Sequence, residues 1–237
     1  MRWTEAAAVA AILLGSAQAQ IPPPQAPQLP SLPRSAAPLV RPQFVVVLDA
    51  AHGGNDPGAH LRSDVQEKDI TLALSNRLRS ILRARDIDVV TTRDTDANPS
   101  MVDRADLANH AEAAACLVIH ATATGSGVHL FTTSLSQAPA ALMPPWQTAQ
   151  AAYVTQSLKL ESEIDSALAH AQIPVTLGRA FVQPMDSLAC PAVAVEMAPL
   201  VGGHVTEARA IVDAGYQKTV VDALSAAIES WHSDWKQ

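Results

Sequence analysis

From Phe44 onward, short apolar runs alternate with stretches of helical period, and that alternation leaves the chain few architectures. Phe44-Val45-Val46-Val47-Leu48 is apolar throughout, the pattern of a strand buried on both faces. Lys68–Arg85 carries Ile70, Leu74, Leu78, Ile81 and Leu82 on one helical face. Ile87–Thr92 reads as a strand, Ser100–Ala115 as a helix capped by Asn98 or Ser100, and Cys116–His120 as the next strand. Val128–Thr133 adds a strand and Thr148–Ala171 a long helix. Arg179–Val182 and Ala192–Glu196 are strands, and Val205 to Trp235 is helical with a candidate break at Gly215. The expectation is an α/β fold: a three-layer sandwich whose mostly parallel, roughly six-stranded mixed sheet is flanked by helices. Hydrophobic residues make up 48% but aromatics only 4%, so the core must be built from Ala, Val, Leu and Ile.

Residues 1–19 read as an export signal: Met1-Arg2, an apolar stretch from Ala6 to Leu14 too short to span a bilayer, and Ala17-Gln18-Ala19 before the cleavage point. Residues 20–42 are proline-rich, without hydrophobic period, and read as an extended linker. Residues 43–237 then form one folded domain, exported to a periplasmic or extracellular setting, with no membrane insertion after signal cleavage. The net charge of −7 argues against a nucleic-acid partner. Cys116 and Cys190 read first as small core residues, with a bridge between them left open.

Chemistry gathers where strands end. His52 lies in Leu48-Asp49-Ala50-Ala51-His52-Gly53-Gly54-Asn55-Asp56-Pro57-Gly58-Ala59, a Gly-rich turn after the first strand. Glu67 opens a helix, and His120 closes an apolar run. Each alone has a plain alternative: a turn histidine, a carboxylate favoured by the helix dipole, a core histidine. Together, two histidines and a carboxylate with a fourth position open make a catalytic zinc set. Glu196 ends Pro191-Ala192-Val193-Ala194-Val195-Glu196, where a charge is costly unless it has a task or lies just past the strand in water.

These segments resemble the zinc-dependent N-acetylmuramoyl-L-alanine amidases of the type 3 family. That family shows D-P-G-H-G-G-x-D-x-G, E-K-D, T-R-D, S-I-H-A-N and P-A-V-L-V-E. Here they stand, in order, as Asp49–Gly58, Glu67–Asp69, Thr92–Asp94, Val118–Thr122 and Pro191–Glu196. The resemblance implies one Zn²⁺ per chain held by His52, Glu67 and His120, with Glu196 as catalytic general base. It implies peptidoglycan as partner, cleaved at the amide between N-acetylmuramic acid and L-alanine, in wall remodelling or daughter-cell separation. Arg93 and Arg104 read as structural charge partners. Ala50-Ala51 replaces Pro-Gly, Val118 and Thr122 replace Ser and Asn, and Met197 to Val201 replaces Gly-Phe-Leu-Ser-Asn. Those departures motivate a rival reading, a weakly active or inactive zinc-bound wall-binding or regulatory protein. A zinc hydrolase acting on another amide is a third. His129 alternates with Val128 and Leu130 and is expected to face solvent. Trp146 and Tyr153 are expected to anchor a helix rather than line a sugar cleft.

Overall fold

The computed structural model describes residues 43–137, 145–201 and 209–235. The expected export signal and linker, and the expected helix start at Val205, lie outside them. The strands are β1 (Val45–Ala50), β2 (His60–Arg62), β3 (Val65–Gln66), β4 (Asp88–Thr91), β5 (Ala115–Ala121), β6 (Val128–Thr133), β7 (Val175–Ala180) and β8 (Ala192–Met197). Six of them form one sheet in the order β4-β1-β5-β8-β6-β7. β4, β1, β5 and β8 run parallel, whereas β6 meets β8 antiparallel and takes β7 alongside it in parallel. The mixed, mostly parallel sheet read from the alternation is present. The β2–β3 hairpin has no counterpart in that reading, because strands of three and two residues are too short to show a period.

Among the described residues four helices cover the sheet: α1 (Glu67–Arg83), α2 (Met101–His110), α3 (Val154–His170) and α4 (Ala214–Trp235). α1, α3 and α4 close one face, where Leu74, Leu78, Leu160, Ile164 and Leu224 meet Val46, Leu48, Leu117, Ile119, Val193 and Val195. Leu78, Leu160 and Ile164 are fully buried, each contributing about 1.5–3 kcal/mol. α2 and a 3₁₀ turn at Met185–Ser187 cover the other face, over Val47, Cys116, Val118, Ala192 and Ala194. The core is aliphatic, as the scarcity of aromatics requires.

Several boundaries differ from the pattern reading. Ser100 caps α2 in a reciprocal capping box with Asp103, but α2 stops at His110 because Glu112 turns the chain at φ 47°. The long helix divides at Tyr153 into a 3₁₀ segment, Trp146–Ala152, and α3. β7 begins at Val175, not Arg179; as an edge strand with Thr176 and Leu177 both exposed it lacks clean alternation. Cys116 and Cys190 are not separate core thiols. They form a disulfide with Cα atoms 6.2 Å apart, tying the start of β5 to the approach of β8.

Candidate metal centre and adjoining carboxylate

Because β6 runs antiparallel to β8, the carboxyl ends of β1, β5 and β8 share one sheet end with the start of β6. Past β1, the Ala51 amide donates to the Ile119 carbonyl at 3.1 Å, and His52 then adopts φ 64°, a left-handed conformation uncommon outside glycine. Two buried guanidinium groups hold that bend. Arg93 donates to the carbonyls of Ala50 and Ala51 at 2.8 and 3.0 Å. Arg104 donates to those of Ala50 and His52 at 2.8 and 2.7 Å, and pairs with Asp49 at 2.8 Å. The alanines at the positions that depart from the family pattern therefore have their carbonyls fixed, Ala50 by Arg93 and Arg104 and Ala51 by Arg93 and Thr71.

The turn after His52 closes onto Glu67, the first residue of α1. Gly58 has φ +65°, and a Cβ there would stand 2.6 Å from His52 Cδ2 and 2.7 Å from Glu67 Oε2, so only glycine lets the turn approach. Glu67 accepts from the Ala59 amide at 2.9 Å and the Ala121 amide at 3.1 Å. Its carboxylate oxygens lie 3.1 Å from His52 Nε2 and 2.8 Å from His120 Nδ1. Burial pushes the Glu67 carboxyl up, but hydrogen bonds with His120, His52 and the Ala59 amide outweigh it and hold the group far below the usual carboxylate range. His52 is raised above its ordinary value, first by its hydrogen bond to Glu67 and, against burial, by Asp56.

His52, Glu67 and His120 each place one donor atom within 4.8 Å of the other two. The set fits a metal. Nε2 of His120 is buried and has no hydrogen-bond partner among the described residues, an arrangement that is costly unless the ring is there to coordinate. Two imidazoles and one carboxylate suit Zn²⁺. Asp56 lies behind the cluster, with Oδ2 2.9 Å from His52 Nδ1. That contact fixes the ring with Nε2 toward Glu67, the usual task of a carboxylate behind a metal-binding histidine. The sequence pattern alone assigns Asp56 no role. Its spacing, four residues after a histidine in a glycine turn, was the available signal.

Glu196 is in register with His120 on β5 and with His129 on β6. It belongs to β8, which continues to Met197, and does not lie past the strand in water. His129 corrects the sequence expectation more sharply. It is not a solvent-facing strand residue: its side chain is only 14% exposed and its Nδ1 is 2.7 Å from Glu196 Oε2. Val128 and Leu130 are buried on either side of it as the alternation requires, but β6 inserts beside β8, so its polar face joins the row that carries Glu196. Trp146 is half exposed and does not anchor its segment, whereas Tyr153 is partly buried. His110 and His170 bond to the Asp106 and Ser166 carbonyls of their own helices, and His232 stacks on Phe44.

The family model described as N-acetylmuramoyl-L-alanine amidase matches residues 46–230. The chain is 42% identical over 84 residues to the endolysin of Bacillus phage SPP1, covering 35% of this chain and 31% of that protein. It is 43% identical over 77 residues to N-acetylmuramoyl-L-alanine amidase AmiA of Escherichia coli, covering 32% of this chain and 27% of that protein. The matched stretches thus span about a third or less of these relatives' lengths. The crystal structure of N-acetylmuramoyl-L-alanine amidase from Clostridium difficile superposes with a TM-score of 0.63 at 21% identity, over 81% of this chain and 98% of that one, which establishes the fold.

Proposed function

The chain belongs to the N-acetylmuramoyl-L-alanine amidase family, and from that premise we propose that it is an exported zinc amidase of peptidoglycan. Its substrate is the amide joining N-acetylmuramic acid to L-alanine of the stem peptide. The observation that carries this reading is the convergence of His52, Glu67 and His120, with Glu196 in register beside His120. The expected export signal at residues 1–19 and linker at 20–42 favour a substrate outside the cytoplasm. No helix among the described residues is long and apolar enough to cross a membrane.

In this reading His52, Glu67 and His120 hold the metal and Asp56 fixes the His52 ring. When bound, Zn²⁺ supplies Lewis acidity toward the scissile carbonyl and the attacking water. Glu196 takes a proton from that water as the new C–O bond forms. It then gives the proton to the departing L-alanine nitrogen as the C–N bond breaks. The replacement at Val118 lies in the aliphatic core, and those at Ala50 and Ala51 lie in a backbone path held by Arg93 and Arg104. None removes a ligating atom, so the enzyme reading is preferred to the wall-binding one.

The test pairs zinc stoichiometry with digestion of defined muropeptides. Glu196→Gln is expected to keep one zinc and lose turnover; near-normal turnover would remove Glu196 from its role. Wild-type protein that binds peptidoglycan but releases no stem peptide would overturn the enzyme reading. Mass spectrometry showing loss of an N-acetyl group instead would reassign the amide.

A further inference from the structure

We propose that His129 is a positioning residue for Glu196, holding one carboxylate oxygen so that the other is the proton-transfer atom. The inference rests on the reading of Glu196 as general base. His120, Glu196 and His129 form one row across β5, β8 and β6: His120 and Glu196 are register partners, and so are Glu196 and His129. All three side chains lie on the sheet face opposite Val195, Met197, Val128 and Leu130, which belong to the core under α1, α3 and α4. Glu196 is thus flanked by a metal-cluster histidine on one side and by His129 on the other.

The contact is specific. Nδ1 of His129 stands 2.7 Å from Oε2 of Glu196, and an ionised carboxylate can only accept, so Nδ1 carries the hydrogen. Among the described residues, Oε1 of Glu196 has no hydrogen-bond partner, which leaves it for the water. The His129 ring is seated from two sides. Gly125, at φ +84°, would place a Cβ 2.4 Å from the ring's Cε1 and Nε2, so a glycine is needed there. Phe131 meets the ring edge-on, with centroids 6.5 Å apart. The Glu196 side chain, 29% exposed, is otherwise free to turn about its terminal bond. Fixing it removes that rotation from the step in which the water O–H bond breaks and Oε1 gains the proton. The Nδ1 proton stays on His129 throughout, and Oε1 later returns its proton to the leaving nitrogen.

The experiment compares His129→Leu, which removes the donor, with His129→Asn, whose amide nitrogen restores one near the Nδ1 position. Both are made in wild type and in Glu196→Gln, with kcat, KM and zinc content measured on the same muropeptide. His129→Leu is expected to lower kcat by about 10- to 100-fold, the scale of one charge-assisted hydrogen bond, with KM and zinc content unchanged. His129→Asn should recover most of that loss. The residual turnover of Glu196→Gln should be unchanged by His129→Leu, because the effect passes through the carboxylate. An unchanged kcat in His129→Leu, a loss that Asn does not restore, or a parallel fall in zinc would overturn the proposal while leaving Glu196 in place. Near-normal turnover of Glu196→Gln alone would instead sink the base reading, and this inference with it.

Discussion

On the β1–β5 side of the site Glu67 and His52 are each held by several partners, while on the β8–β6 side Glu196 is held by one among the described residues. Glu67 is 5% exposed and meets two backbone amides and two imidazoles. His52 is set by Asp56, and its backbone bend by Arg104, itself 1% exposed. Among the described residues Glu196 has His129 alone, and nearly a third of its side chain is open. The difference fits the two tasks proposed for these residues. Metal ligands must be in place before the ion arrives, so their order has to be built into the fold. A general base must exchange its proton with water or substrate on every cycle, so burial on all sides would defeat it.

The hardest test of that contrast is His120→Ala, expected to reduce zinc from one per chain to near none and to abolish turnover. Zinc content measured by atomic absorption decides it: full occupancy would mean the crowded side of the site is not the metal side. Next in size is the disulfide, which joins the two sides at the sheet end remote from the site, at the start of β5 and just before β8. It closes a loop with a sequence separation of 74, and the loop-entropy model puts its contribution at about 4 kcal/mol. Cys116→Ala with Cys190→Ala should therefore unfold at markedly lower denaturant, yet retain zinc and kcat when folded. A folded double variant that lost zinc would show that the His120–Glu196 register depends on the far end of the sheet.

Legibility in the sequence divided instead by whether the signal is local. His52, Glu67 and His120 each mark the end of an element, flagged by a glycine turn, a helix start or an apolar run, so local pattern was enough to nominate them. The buried parallel strands β1 and β5 were visible for a related reason: covered on both faces, they are uninterrupted apolar runs. His129 was not legible, because its meaning depends on β6 inserting antiparallel beside β8, a register between strands far apart in sequence. The same holds for the disulfide, since nothing local to Cys116 or Cys190 reveals that β5 and β8 are neighbours. The edge strand β7 was misplaced because exposure on both sides erases the alternation by which strands are recognised.

The finest test concerns Asp56, where the two sides of the site come closest in kind. Like His129, it is a partly exposed residue that acts on a functional side chain through one hydrogen bond, with 41% of its own side chain open. The hydrogen bond with His52 holds its carboxyl below the ordinary range. Unlike His129, it supports a residue that also has Glu67 at 3.1 Å and a fixed backbone. Asp56→Ala should therefore weaken zinc binding by only about 10- to 100-fold, measured by competition with a chelator, with kcat nearly unchanged once zinc is saturating. Asp56→Asn keeps an acceptor for Nδ1 but removes the charge, and should fall between the two. If Asp56→Ala instead abolished zinc binding, the metal side would hang on one contact as the base side does, and redundancy would not be what separates them.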